Sequence, residues 1–385
     1  MNNNIFTKNK FALCFFATSG LLGLAIPATA TAGVNLATPG DWETSISGSL
    51  PVFMVASDHD NSEKALRVQS GFNPANINFH VVAPKSDAGF TVSGHFQIDT
   101  HLQGSGVQDS GLFESRVANI QLSGDFGTIV AGKDFGVFNS SAIGDLGSQR
   151  GVGWLGGGAD TANATGGRIG TGYVYANFNP QVKYISPSMG GLSFKVALIN
   201  PEEPQDASVE TGSPRIEGQV NYKMGTGNGS LELWSGVFQQ SVDVMVGEDT
   251  FGYNMQGIDV GGHIDIASFG LTVSYTDTTG IGADGLYGGS IHDADVDGTQ
   301  WYVEADYVFG KNTVGVSYGE GSQDARAADS TKGLVAVGDV DNQLTMLFVN
   351  HQMTPQLRLI GELQDYQSTV QNDYTAIVVG FQFDF

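Results

Sequence analysis

Hydrophobic and polar residues alternate along most of this chain in segments of about ten residues. The clearest segment is 90–103, where Phe90, Val92, Phe96, Ile98 and Leu102 share one face and Thr91, Ser93, His95, Gln97, Asp99, His101 and Gln103 the other. A period of two belongs to a β-strand with one apolar and one wet side. It recurs with Leu192, Phe194, Val196 and Leu198 against Ser193, Lys195 and Ala197. It recurs again with Ile216, Val220, Tyr222 and Met224 against Arg215, Glu217, Gln219, Asn221 and Lys223. Ten tilted residues cross a bilayer, so the pattern predicts a transmembrane antiparallel β-barrel with lipid outside and water within.

The connections strengthen this prediction. Short turns rich in Gly, Pro, Asn and Asp fall at 85–89, 124–127, 187–191, 225–229, 267–270, 310–312 and 353–355, and such residues supply the backbone angles of tight hairpins. Longer polar loops fall between them at 57–63, 103–111, 134–172, 200–213, 241–250, 278–299, 321–341 and 367–373. The rhythm predicts sixteen strands in up-and-down order with both termini on the short-turn side. A soluble β-sandwich also alternates, but nothing in it demands this short-long rhythm. Aromatics at strand ends, Trp301, Tyr307, Phe309, Tyr318 and Tyr366, suit the interfacial girdles of a barrel.

The third long loop stands out. Residues 134–172 are mostly Gly, Ser, Ala and Asn with scattered charges, without the apolar periodicity of a core helix. A loop of that length inside an ordered domain is usually functional. It is expected to fold into the barrel and set the width and charge of a pore.

Composition bounds the rest. No run of eighteen apolar residues occurs in the body of the chain, so helical spans are not expected there. The single apolar run follows Lys8 and Lys10 and leads to Ala28, Ala30 and Ala32, which reads as a secretory signal peptide over 1–32 and leaves 33–385 as one barrel domain. Cys14, the only cysteine, lies in that leader, so the exported chain relies on neither disulfides nor thiolate ligands. The formal net charge of −23 argues against nucleic acid as a partner.

The local motifs carry a resemblance. Residues 116–136, RVANIQLSGDFGTIVAGKDFG, resemble the strand-turn-strand signature of Gram-negative general diffusion porins, and 182–194, VKYISPSMGGLSF, resemble a second signature of that family. The closing alternation of Thr375, Ile377, Val379, Phe381, Phe383 and Phe385 resembles the C-terminal signature of outer-membrane barrels. The resemblance implies a homotrimer in outer-membrane lipid, each barrel a water-filled channel for ions and small hydrophilic solutes. It also implies a constriction where basic wall residues face acids on the third loop. By position, Arg116, Lys133 and Arg168 match the basic residues, Arg168 at the start of the returning strand. Arg67 is a further wall match that needs a bulge within 71–74 to bring it inward. Asp145 and Asp160 match the loop acids. The loop departs from the family at SQRGVGWLGG, where Arg150 stands in place of an acid and Trp154 is either an anchor on the wall or an apolar narrowing.

Selectivity is read from the other inward positions. Asp99, Glu217, Glu232, Asp259, Asp265, Glu304, Asp306 and Glu362 all fall on polar strand faces, so a weak preference for cations is expected. Asp293, Asp295, Asp297 and Glu304 satisfy the spacing of an EF-hand calcium loop. No helix flanks them, and Glu304 falls within a strand, which leaves a looser calcium site or a plain acidic loop as the two readings. No organic cofactor is called for. Two other functions compete: a substrate-selective channel of the same fold, and a surface adhesin or receptor barrel. An enzyme would need Ser93, His95 and Asp99 to cooperate, and their spacing along one strand keeps Asp99 from the imidazole.

Overall fold

The computed structural model describes residues 33–38, 40–61, 64–102, 113–156, 164–202, 208–246, 248–287 and 291–385. The expected leader, Asp160 and the loop at 103–111 lie outside them. The strands form one antiparallel sheet that closes on itself, because Tyr374–Asp384 pairs with Glu43–His59 and each pass across the barrel pairs with the next. Sixteen passes cross the barrel. After Glu43–His59, the second is made of two pieces, Ala65–Gln69 and Ala75–Val82, both paired to that first strand. Next come Thr91–Thr100, Phe113–Gly124, Gly127–Phe135, Phe178–Ile185 and Leu192–Ile199. The other half holds Arg215–Thr226, Gly229–Val246, Asp249–Ile266, Phe269–Thr279, Asp297–Phe309, Asn312–Gln323, Val340–Gln352, Leu357–Ser368 and Tyr374–Asp384. Two short strands, Val34–Leu36 and Val209–Glu210, add to Glu43–His59 and Gly229–Val246. Among the described residues no helix is long and apolar enough to cross a membrane.

Alternation decides the packing. Leu66, Val68, Phe96, Ile120, Val182, Val237, Val260, Leu347, Ile377 and Phe381 point outward and are exposed, forming the lipid face. Their neighbours point inward and are mostly buried polar residues. On the outer face, Phe269, Tyr307 and Phe309 pack together near the short-turn end, while Trp301 and Tyr318 pack at a tilt nearer the long loops. Trp301 and Phe309 share one strand, about 26 Å apart at roughly 3.3 Å per residue, which is about 20 Å of height for a strand tilted by roughly 40°, within a lipid band about 25 Å tall. Tyr366 departs from the expected girdle. It faces inward and is buried in an apolar cluster with Tyr374 and Leu344.

All seven short turns form as expected. The fifth long loop does not: Gly229–Val246 and Asp249–Ile266 run on through 241–250 and pair to Val246 and Asp249. Their outward residues change from Val237 and Ile258 to the directly paired Gln239 and Gln256, and then to Ser241 and Asn254. The wall here leaves lipid while remaining a sheet, which turn composition does not reveal.

Two irregularities re-aim side chains. Between the two pieces of the second pass, 70–74 breaks the alternation. Arg67 sits opposite the buried Val55 and Gln69 opposite Phe53, whereas Ile77 and Phe79 return to the outer face. A register shift between Gln97 and Ile98 leaves Arg116 as the extra residue on Phe113–Gly124. Such a bulge lets Arg116 join Val117 and Asn119 on the inner face.

Closure is tight at the short-turn end. The Gly48 and Phe385 backbones exchange two hydrogen bonds, of 2.8 and 3.0 Å. A Cβ at Gly48 would lie 2.5 Å from the Asn76 carbonyl oxygen and 2.7 Å from the Phe385 ring. Since backbone cannot yield there, Gly48→Val is expected to cost about 1–3 kcal/mol through overpacking. A lower temperature for loss of the heat-shifted gel band would show it, and an unchanged transition would refute it.

Candidate functional site

Residues 136–177 leave the wall after Phe135 and return at Phe178, so the returning strand begins ten residues beyond Arg168. The loop is held by wall carboxylates. Glu217 accepts hydrogen bonds from the backbone N–H of Val137 at 2.6 Å and Phe138 at 2.8 Å. Asp259 accepts from the backbone and side chain of Asn139 at 2.8 and 3.1 Å. Glu304 accepts from Leu146 at 2.6 Å and Gly147 at 3.2 Å, and Glu362 from Val152 at 2.7 Å and Gly153 at 3.2 Å. A hydrogen bond contributes a net of about 0.5–1.5 kcal/mol, and these bonds together fix the loop at four places along the barrel wall.

Local sequence fits each tether. Asn139 takes a left-handed conformation, φ 58°, and is fully buried. Its Oδ1 accepts from Val174 N–H and Thr276 Oγ1, both at 3.0 Å, which joins the outgoing and returning arms of the loop. The short helix Leu146–Arg150 is capped by Asp145, which accepts from Ser148 N–H and Oγ. Gly151 presses against the Glu362 carboxylate so closely that a side chain there would collide with it. Trp154 anchors the loop: it packs on Tyr366, and its backbone pairs with Gly167.

The expected constriction residues are placed as follows. Arg116 is in the lumen, 2.9 Å from Asp99 and 3.3 Å from Glu114, with its guanidinium over Phe178. Arg67 faces inward near the long-loop rim and is exposed, away from the narrow part. Lys133 is corrected: it lies opposite Ala118 and Pro180, in register with the exposed Phe96, and so points out of the barrel. Its neighbour Asp134 takes the inward place and pairs with Lys183 at 2.7 Å. Asp145 and Arg168 are also corrected. Both are fully buried and 3.8 Å apart, with Arg168 donating to the Leu344 carbonyl at 3.1 Å, so they hold the loop together instead of facing the pore. Arg150 is partly exposed beside the Leu357–Ser368 wall. Burial, and then the like charge of Arg358, lower its pKa to about 10, and it stays charged at neutral pH.

The calcium spacing is not a site. Asp295 pairs with Lys332 at 2.6 Å, Asp297 accepts from Thr279 Oγ1 at 2.8 Å, and Glu304 is buried under the loop. Glu304 is also about 23 Å down the strand from Asp297 at roughly 3.3 Å per residue. No group of three or more such ligands converges among the described residues, Asp293 included. Ser93, His95 and Asp99 form no relay either, because His95 bonds Asn78 and Asp99 bonds Gln97 and Arg116.

Reading inward faces found the tethering acids but not their task. Glu217, Asp259, Glu304 and Glu362 are 0 to 3 % exposed and spent on the loop, so the wall is less acidic toward water than the alternation implies. Lys183 and Lys195, also inward, lie on adjacent strands, two and three strands from Arg116. Lys195 lies 3.3 Å from Gln219 Oε1 and forms no ion pair among the described residues. Their shared face was legible from alternation; their convergence on the part of the wall beside the loop base was not.

A closed barrel of sixteen strands with lipid outside, polar side chains inside and a loop pinned across its lumen is a channel of the outer-membrane type. Residues 23–371 match the family model of Gram-negative porins, and the chain belongs to that family and to the outer membrane. Its fold is similar to an anion-selective porin from Comamonas acidovorans, at 17% identity over 90% of this chain and 100% of that one, TM-score 0.67. It is similar to the outer membrane channel DcaP of Acinetobacter baumannii, at 15% identity over 92% and 100%, TM-score 0.67. It is similar also to the trimer form of OmpT of Vibrio cholerae, at 15% identity over 90% and 100%, TM-score 0.56. No curated protein matches the chain in sequence.

Removing one tether tests this account. Glu362→Ala leaves the Val152 and Gly153 N–H groups without an acceptor, at about 1–3 kcal/mol for each buried donor. Single-channel records should show added open-state noise, and quiet records identical to wild type would count against the tether. Lys133→Gln, by contrast, should leave conductance and reversal potential unchanged; a change in either would place Lys133 in the ion path.

Proposed function

We propose that this porin passes ions and small hydrophilic solutes passively, along the side of the lumen that the pinned loop leaves uncovered. The observation that carries this reading is the position of the tethers. All four lie on strands from Arg215–Thr226 to Leu357–Ser368, so the loop is drawn toward that half. The opposite half, from Ala75–Val82 to Leu192–Ile199, presents His95, Gln97, Asn119, Gln121, Lys183 and Lys195 inward. Polar and charged walls favour hydrated solutes over apolar ones. Residues 1–32 are proposed as the export leader, and the assembly as a homotrimer, in line with the trimer form of the Vibrio cholerae neighbour.

Ion preference is proposed to be weak. Lys195 and Arg150 are basic and without a carboxylate partner in ion-pair range among the described residues, while Glu114 and Asp265 are partly open acids on the inner wall. Exposed acids at the rim, Asp60, Asp249, Asp324 and Asp339, act in the opposite sense to the lysine, in a region where salt screens them. The weak cation preference expected from eight inward acids therefore loses half its source to the loop tethers.

Reversal potentials in a salt gradient test the balance. Wild type should give a small value, and Lys195→Glu should shift it clearly toward cation preference. A strongly selective wild type, or no shift in the variant, would overturn the assignment of Lys195 to the ion path. Saturable block by one class of solute would instead indicate a substrate-selective channel.

A further inference from the structure

The loop position where an acid is expected carries a base that the loop tethers do not use. Arg150 ends the short helix Leu146–Arg150, and among the described residues its guanidinium has neither a hydrogen-bond partner nor a carboxylate in ion-pair range. It is partly exposed, and none of its nitrogens is walled off from solvent. Its root is nevertheless fixed. Asn73 Nδ2 donates to the Gln149 carbonyl at 2.7 Å, and the Phe72 N–H donates to the Gly151 carbonyl at 3.0 Å. The interruption of the second pass at 70–74 thus holds the backbone on both sides of Arg150, which lowers the ordering cost of any contact the side chain makes.

A second guanidinium stands nearby on the wall. Arg358 faces inward on Leu357–Ser368, four residues from the tethering Glu362 toward the short turn, and its positive charge is felt at Arg150. Gln382, directly opposite Arg358 in register, links the two. It lines a small cavity with Arg150 and Ser49, donates to Ser49 Oγ at 3.0 Å and accepts from Arg358 Nη1 at 3.4 Å. Arg358 Nε donates to Gln352 at 3.2 Å, and its Nη2 has no hydrogen-bond partner among the described residues. Among those residues Asp384 is the one acid in ion-pair range, 3.7 Å from Arg358, while Asp306 acts on Arg150 from farther away. Two neighbouring cations therefore share one close carboxylate, and their mutual repulsion is relieved by an added anion.

We propose that Arg150 and Arg358 form a subsite for the carboxylate of a small hydrophilic solute, on the short-turn side of the pinned loop. The inference rests on the channel reading and, for carboxylates, takes it to its substrate-selective form. A guanidinium presents paired N–H groups that match the two oxygens of a carboxylate. Arg150 has that fork free, and Arg358 offers Nη2 as a further contact. Chloride gains the charge without the paired geometry. One negative charge offsets the unmatched positive one, which suits a monocarboxylate.

The test is current block. Adding potassium propionate at constant KCl should lower single-channel conductance along a saturating curve, where free passage would raise it. Arg150→Gln should raise the half-blocking concentration at least fivefold, and Arg358→Gln should do the same, with heat-shifted gel mobility reporting that each variant is folded. Arg150 lies on the loop, so its variant decides the matter if Arg358→Gln does not fold. A wild type that conducts KCl without saturable block, or a folded Arg150→Gln blocked at the wild-type concentration, would overturn the subsite and leave the channel reading standing. A folded barrel that conducts no KCl would overturn both.

Discussion

The structure depends on a pairing of unlike groups: backbone N–H donors of an irregular loop and carboxylates rooted in a regular wall. A loop inside a barrel cannot satisfy its backbone through a sheet ladder, and unpaired donors buried away from water are costly. The wall supplies acceptors at four points, Glu217, Asp259, Glu304 and Glu362, and the loop supplies successive N–H groups to each. The carboxylates in turn need donors, since a buried unpaired charge is worse than a buried amide. Each side makes the other affordable, and the loop position follows from where the acids stand on their strands.

The same arrangement changes the electrical character of the lumen. Charges counted along the inner faces divide into those that bind protein and those that meet solute. Asp145, Arg168, Glu304 and Glu362 belong to the first group, and Lys195 and Arg150 to the second. Fine placement comes from breaks in regularity. The bulge beside Gln97 aims Arg116 at Asp99, and the interruption at 70–74 lets one pass present Arg67 at the rim and Asn78 and His80 lower down on the same inner face.

Much of the fold was legible because alternation and turn chemistry are local. Phe90 through Leu102 declared their faces, and all seven short turns fell where Gly, Pro, Asn and Asp clustered. The misplaced features are those that local patterns do not contain. Lys133 matched a basic position, but strict alternation from Val130 and Asp134 sends it outward. Arg168 and Asp145 looked like facing charges and are instead a buried pair within one loop. The aspartates at 293–297 had calcium spacing, yet Lys332, Thr279 and the strand direction disperse them. Alternation alone decides Lys133, whereas Arg168 is decided by a partner distant in sequence, Leu344, 176 residues away.

The tall hairpin of Gly229–Val246 and Asp249–Ile266 gives the channel a skewed profile. Each of its strands has 18 residues, whereas about ten suffice to cross the lipid. Above the paired Gln239 and Gln256 it continues as a parapet edged by Val209–Glu210, with polar residues outward and Val242, Val244, Tyr253 and Met255 packed inward against Phe138, Val174 and Ile281. A solute arriving from outside meets a raised shield on the flank where this hairpin stands.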